Sequence, residues 1–199
     1  MQVKAIFFHV PKTAGCSISQ LKKEREDIAF LGHVNYDYAV KKFGKDVVSQ
    51  AFKFSFVRNP YDRFVSAYHY LLQQDEDHKF WKYDKNISLE LKKIDSFEEF
   101  CKVYKNKRSF YKYKHFLPMR HFLYKNNSCT VDFIGKYESI ENDLKYICDK
   151  LNVDDFTLPT LNVSNHKNWR EYYNSAYCAD IVRDWYRDDF ETFNYSREI

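Results

Sequence analysis

The chain opens with an apolar segment that runs directly into a loop of small and polar residues. Val3 to Phe8 is almost unbroken apolar, as expected for a parallel strand covered on both faces. The loop reads His9-Val10-Pro11-Lys12-Thr13-Ala14-Gly15-Cys16-Ser17, and after it Ile18, Leu21 and a charged run suit a short amphipathic helix. This order of strand, loop and helix restricts the chain to folds in which a β-strand is followed through a loop by a packed helix.

A strand that leads through such a loop to a helix N-terminus is typical of an anion site. Unpaired N–H groups point outward there, and the helix dipole adds partial positive charge. Lys12 adds a full charge, and Thr13 and Ser17 add hydroxyl donors. The loop differs from GxxxxGK[ST], because Lys12 precedes Gly15. The pattern predicts a P-loop-like phosphate-binding loop, with an ordinary turn and a surface lysine as the alternative.

Further strands and helices alternate along the chain. A second buried strand, 53–57, precedes a helix from Tyr61 to about Gln74, for which Asn59 is a suitable cap and Pro60 a suitable first residue. A third strand, 132–135, precedes a helix over 140–151, and 170–193 is mostly helical by pattern. This alternation predicts an α/β fold of three layers with a central parallel sheet.

Length and composition set the remaining bounds. The 199 residues suit a single domain, 1–199, in which about 75–127 form a helical, aromatic and basic insertion on the acceptor side. The net charge of +4 is mild. The five cysteines are widely spaced and form no CxxC pair, so we expect no zinc and a reducing compartment. No apolar run approaches the ~20 residues that span a bilayer. We therefore expect a cytoplasmic protein, or one of the Golgi lumen if an anchor was removed.

A second group of candidate phosphate ligands follows the second strand. Arg58 sits at the carboxyl end of that strand, where ligands bind in open α/β sheets, and Ser66 lies two turns into the next helix. A guanidinium fork and a hydroxyl suit phosphate. The alternative is an Arg58–Asp62 pair with Ser66 packed on its helix.

Together these elements resemble a known family. Pro11 to Ser17 after the first strand, with Arg58 and Ser66 spaced as Arg-x7-Ser after a later one, resembles the sulfotransferases that use 3′-phosphoadenosine 5′-phosphosulfate (PAPS). The form here is closest to the Golgi-type carbohydrate sulfotransferases and their bacterial relatives. Gly32-His33-Val34 resembles a segment of the heparan and uronyl 2-O-sulfotransferases. Phe133 to Glu138 resembles the family's third strand and turn, and Leu161 to Lys167 its segment that closes over the cofactor.

The resemblance implies a role for individual residues. Lys12, Thr13, Ala14, Gly15, Cys16 and Ser17 would surround the 5′-phosphosulfate, although Cys16 stands where the family often has a hydroxyl. Arg58 and Ser66 would bind the 3′-phosphate, and Ser164 and Lys167 would complete the site. The acceptor hydroxyl would attack sulfur in line, as in phosphoryl transfer. His33 would be the general base, with His9 as its rival, and Lys12 would neutralise the leaving oxygen. The product would be 3′,5′-ADP, and no metal is required.

The segment from Tyr104 to Lys125 carries seven basic residues, seven aromatic residues and no acidic residue. It suits an anionic sugar chain, a nucleic acid bound by stacking, or a solvated helix whose aromatic side chains face the core. Arg108, Lys112, Lys114, His115 and Arg120 are the candidate acceptor ligands, although Pro118-Met119-Arg120 departs from the family's frequent Pro-Gln. The predicted function is sulfuryl transfer from PAPS to a hydroxyl, in the first place that of a carbohydrate, with anionic sugars among the acceptors considered. The alternatives are a nucleotide kinase or NTPase that uses Mg²⁺, and a non-catalytic nucleic-acid-binding module.

Overall fold

The computed structural model describes residues 2–154, 156–159 and 166–199. The strands are β1 Ala5–Phe8, β2 Ile28–Leu31, β3 Phe52–Val57, β4 Tyr124–Lys125, β5 Ser128–Cys129 and β6 Phe133–Lys136. The α-helices are α1 Gly15–Ile18, α2 Tyr36–Phe43, α3 Lys45–Gln50, α4 Pro60–Leu72, α5 Trp81–Leu91, α6 Phe97–Tyr104, α7 Arg108–Tyr111, α8 Arg120–Leu123, α9 Ile140–Leu151, α10 Ala176–Trp185 and α11 Arg187–Thr192. Short 3₁₀ turns cover Ser19–Lys23, Tyr137–Ser139 and Trp169–Tyr172.

Four parallel strands form the main sheet in the order β2-β1-β3-β6. Phe7 of β1 lies opposite Phe30 of β2 and Phe54 of β3, so one row of aromatic side chains crosses the centre of the sheet. Strand β2 pairs with one edge of β1, and β3 pairs with the other edge. The strand order therefore reverses beside β1, and in open parallel sheets ligands bind at the carboxyl ends of the strands at such a point.

Both faces of the sheet are buried. On one face Phe7 and Phe54 pack with Ile18 of α1 and Leu144 of α9 in one apolar cluster. On the other face Ile6, Phe8 and Val57 are also fully buried. Burial on both faces explains why β1 reads as a continuous apolar run rather than an alternating one. In β3 the polar residues Lys53 and Ser55 alternate with phenylalanines and are buried as well. The structure confirms the predicted α/β fold with a central parallel sheet between helices.

The chain divides into two compact units, Met1–Arg58 with Met119–Asn162 and Asn59–Pro118 with Val163–Ile199. The first unit contains the sheet. The second is helical, and its core is aromatic: the ring of Phe64 on α4 lies 5.5 Å from that of Phe100 and 5.3 Å from that of Phe116. Helix α4 begins where the sequence predicts, because the Asn59 side chain accepts a hydrogen bond from the Tyr61 amide at 2.9 Å.

The predicted elements are present with small shifts at their ends. Strand β1 is two residues shorter than the predicted Val3–Phe8, and the helix over 140–151 has the predicted bounds. The middle segment is helical, with α5, α6, α7 and α8 followed by the β4–β5 hairpin. The strand β2 and the helices α2 and α3 were not predicted from the sequence. The single-domain assignment stays a prediction.

Candidate functional site

The carboxyl ends of the four parallel strands bring polar side chains to one edge of the sheet. His9 directly follows β1, Gly32 and His33 follow β2, Arg58 follows β3, and Tyr137 follows β6. These strands are hydrogen-bonded neighbours, so their ends lie along a single line. All of these residues belong to the first compact unit. The candidate site is therefore built by the sheet itself.

The loop between β1 and α1 has an unusual backbone. Lys12 and Ala14 both adopt positive φ, 69° and 61°, a left-handed conformation that costs non-glycine residues roughly 1–2 kcal/mol. The Thr13 hydroxyl is fully buried and donates to the Val10 carbonyl at 2.9 Å, which holds the turn closed. Alternating backbone conformations of this kind direct successive N–H groups to one side, as anion-binding loops do. The Thr13 hydroxyl thus shapes the loop in this structure.

Gly15 is required by close side-chain packing. A Cβ at this position would lie 2.0 Å from Cδ2 and 2.1 Å from Nε2 of His9. Those distances are far below van der Waals contact, so the imidazole occupies the space that any other side chain at position 15 would need. The need for glycine here is steric rather than conformational, because the left-handed residues of the loop are Lys12 and Ala14.

The two histidines at this edge are in contact. The ring centroids of His9 and His33 lie 4.6 Å apart. Burial, with smaller contributions from His33 and Lys12, lowers the pKa of His9 to about 3. His9 is therefore neutral across the physiological range, and it is a weak base. General bases work best when their pKa lies near the operating pH, so His9 is poorly suited to that role.

Arg58 lies beside the loop. Its guanidinium donates a hydrogen bond to the Lys12 carbonyl at 3.2 Å and stacks over the ring of Tyr137 at 4.1 Å. The side chain is 9% exposed, so its position is set by the loop and by the turn after β6. Sequence analysis gave no role to Tyr137. Its place directly after a strand of the sheet was the signal that could have drawn attention to it.

The other predicted ligands are distributed elsewhere. Ser66 is buried on α4 in the second unit, which also contains the exposed Lys167. Ser164 lies outside the described residues. Arg120 belongs to the first unit, where its guanidinium stacks over Tyr124 at 4.4 Å and donates to Asn127 Oδ1 at 3.3 Å. The assignments of these residues to a ligand stay predictions.

The basic aromatic segment is divided between core and surface. Tyr104, Phe110 and Phe116 are fully buried in the core of the second unit, as in the interpretation that its aromatic side chains face inward. His115 is buried, and Lys114 forms a 2.9 Å ion pair with Asp84. Arg108 and Lys112 are exposed. The aromatic residues with the deepest burial therefore offer no stacking surface to a nucleic acid.

Two features are absent from the part of the chain that the structure describes. Among those residues, no three His, Cys, Asp or Glu side chains come together as a metal site would require. None of the helices formed by those residues has the length and apolar character needed to cross a bilayer.

Comparisons with known proteins agree with the geometry. The model of the Sulfotransferase family matches residues 2–196. An uncharacterized protein of Archaeoglobus fulgidus is 29% identical over 133 residues, which cover 65% of this chain and 92% of the relative. None of the solved structures compared with the chain matches it.

Proposed function

Because the chain belongs to the Sulfotransferase family, we propose that it transfers a sulfuryl group from PAPS to a hydroxyl group, in the first place that of a carbohydrate. Sulfuryl transfer is the chemistry of the family. The donor, the acceptor class and the residue roles are the parts proposed for this chain.

The observation that carries the proposal is the position of Arg58 beside the loop. PAPS has two separate phosphate groups, a 5′-phosphosulfate and a 3′-phosphate, so its site needs two groups of donors. The loop Lys12–Ser17 supplies amides and a lysine for the first. The Arg58 guanidinium, 3.2 Å from the Lys12 carbonyl, supplies a planar fork for the second. A kinase that binds ATP has no 3′-phosphate to neutralise.

The proposed reaction follows from these assignments. The acceptor hydroxyl attacks the sulfur in line while His33 takes its proton, and the bond between sulfur and the oxygen bridging to the 5′-phosphate breaks. Negative charge develops on that bridging oxygen, and the Lys12 ammonium neutralises it. The products are a sulfate ester and 3′,5′-ADP. Ser66, Ser164 and Lys167 are proposed to complete the donor site.

The acceptor assignment has separate support. The segment resembling the heparan and uronyl 2-O-sulfotransferases contains His33, which lies at the carboxyl edge of the sheet. We propose a carbohydrate hydroxyl as the acceptor, with the exposed Arg108 and Lys112 as candidate contacts for an anionic sugar. Lys114, His115 and Arg120 are weaker candidates, because His115 is buried and the other two already contact Asp84 and Tyr124.

A thermal-shift comparison in EDTA tests the donor assignment. A ligand at 100 times its dissociation constant stabilises a protein by about 2.7 kcal/mol. We expect 3′,5′-ADP to raise the melting temperature without metal, 5′-AMP to raise it less because it lacks the 3′-phosphate, and ATP to have a small effect. Equal shifts from 3′,5′-ADP and ATP, or a shift that appears only with ATP and Mg²⁺, would contradict the proposal and favour a kinase or NTPase.

A further inference from the structure

We propose that His9 is a positioning residue, whose imidazole fills the space over Gly15 and fixes the ring of His33 beside the anion loop. This role rests on the proposed function, because the proposed function assigns His33 as the general base. The packing of the two rings on the loop does not depend on that assignment.

Three contacts hold the His9 ring. It stacks on Phe7 with an interplanar angle of 18° and a centroid distance of 5.9 Å. It meets the ring of His33 at 4.6 Å. Its third neighbour is the α-carbon of Gly15, where a Cβ would come within 2.0 Å of the imidazole. The ring thus joins the end of β1, the start of α1 and the segment after β2.

This arrangement couples the loop to the proposed base. A shift of α1 at Gly15 displaces the His9 ring, and a shift of that ring changes the surroundings of His33. Protein interiors are packed closely enough to transmit such displacements. Gly15 and His9 are therefore complementary, because the absence of a side chain at Gly15 leaves room for the His9 ring.

The charge state of His9 suits this role. The titratable groups that face it are His33 and Lys12, and both oppose its protonation. Burial is the larger effect, and together they bring the pKa of His9 to about 3. A ring that stays neutral adds no charge to the loop, so Lys12 remains the cation of the loop.

A double-mutant cycle with an NMR readout tests the inference. The variants are Gly15→Ala, His9→Ala and the pair together, and the observable is the pH titration of the imidazole carbons, assigned with His33→Gln. We expect the titration midpoint of His33 to move by about half a pH unit or more in each single variant. In the His9→Ala background Gly15→Ala should add little, because the ring that it would strike is gone.

The chain offers a matched control for the glycine. Gly32 directly precedes His33, and a Cβ there meets no residue within 4 Å beyond its two chain neighbours. Gly32→Ala should leave the midpoint of His33 unchanged. If Gly15→Ala and His9→Ala lower only the melting temperature while the His33 midpoint stays the same, the role is structural packing and the inference is wrong. It is also wrong if the wild-type His9 imidazole titrates between pH 5 and pH 8.

A conservative variant and a binding measurement complete the design. His9→Gln keeps polar bulk over Gly15, and we expect a smaller shift of the His33 midpoint than in His9→Ala; an equal shift would overturn the steric part of the inference. Binding of 3′,5′-ADP is measured on the same samples. A wild type that does not bind 3′,5′-ADP counts against the proposed function, whereas the titrations judge the role of His9 independently.

Discussion

The guanidinium of Arg58 donates a hydrogen bond to the carbonyl oxygen of Lys12 at 3.2 Å. These residues are 46 positions apart in the sequence. The strands that precede them, β1 and β3, are neighbours in the sheet. The bond joins the strained turn at Lys12 to the end of the next strand. The two proposed phosphate-binding groups therefore lie together at one edge of the sheet.

Replacing Arg58 by lysine tests the proposed 3′-phosphate contact. Lysine keeps the charge but loses the fork that can bind phosphate and donate to the Lys12 carbonyl together. Hydrogen bonds to charged groups contribute about 1.5–3 kcal/mol, so we expect Arg58→Lys to weaken 3′,5′-ADP binding by about tenfold or more, and 5′-AMP binding much less. Calorimetric titration measures both.

Arg120→Lys is the control for this prediction, because that guanidinium also stacks over a tyrosine ring in the same unit. Its effect on both nucleotides should be small. Equal losses of 5′-AMP and 3′,5′-ADP affinity in Arg58→Lys would place Arg58 away from the 3′-phosphate.

Removing the charge of Lys12 tests leaving-group stabilisation. Lys12→Gln keeps a long side chain on the left-handed backbone, so we expect the fold and melting temperature to change little. Sulfuryl transfer should fall by about 10²-fold or more, in the range seen when one preorganised donor is removed from a developing oxyanion. Release of 3′,5′-ADP from PAPS measures the rate. Lys22→Gln, at an exposed position, should retain full activity, and similar rates in both variants would contradict the role.

A buried carboxylate in the second unit gives a stability prediction. Asp84 is 1% exposed and pairs with Lys114 at 2.9 Å, while the Gln74 amide and the Tyr70 hydroxyl donate to it at 2.8 and 3.0 Å. We expect Asp84→Ala to lower the free energy of unfolding by about 3–5 kcal/mol, because it leaves a partly buried ammonium and polar groups without their acceptor. Urea denaturation measures the loss.

The same carboxylate predicts a pH dependence. Burial opposes ionisation of Asp84, but hydrogen bonds from Gln74, Lys114 and Tyr113 outweigh it and lower its pKa. A carboxyl with a lowered pKa stabilises the fold above its ordinary pKa, and this stabilisation is lost as the pH falls. The difference in free energy of unfolding between wild type and Asp84→Ala should therefore shrink from pH 7 to pH 3.

Asp180→Asn is the control, because Asp180 forms an exposed ion pair with Arg183. It should lower the free energy of unfolding by less than about 0.5 kcal/mol.

His69 should make the fold sensitive to mild acid. Burial and, to a smaller extent, His166 lower its pKa to about 4, and its buried Nε2 has no hydrogen-bond partner among the described residues. The unfolded chain binds a proton near pH 6.5 and the folded chain does not, so stability falls as the pH drops from about 6.5 toward 4. The free energy of unfolding of His69→Phe, relative to that of the wild type, should therefore be higher at pH 5 than at pH 8. An equal difference at both pH values would show that His69 does not titrate in this way.

The sequence was sufficient for elements whose pattern is local. The apolar run of β1 reflects burial on both faces. The Asn59-Pro60 start of α4 reflects capping, which neighbouring residues determine. The strand β2 was missed because four apolar residues, Ile28–Leu31, fit a strand or a buried helix equally well. The packing of His9 on Gly15 was not predictable, since it depends on the path of the chain after β1 rather than on either residue alone.

A crystal structure of the protein with 3′,5′-ADP tests the central claim most directly. We predict the 5′-phosphate on the backbone amides of the loop Lys12–Ser17 and the 3′-phosphate in hydrogen-bond contact with the guanidinium of Arg58. A nucleotide that binds with its 3′-phosphate remote from Arg58, or that lies away from the loop, would contradict the account.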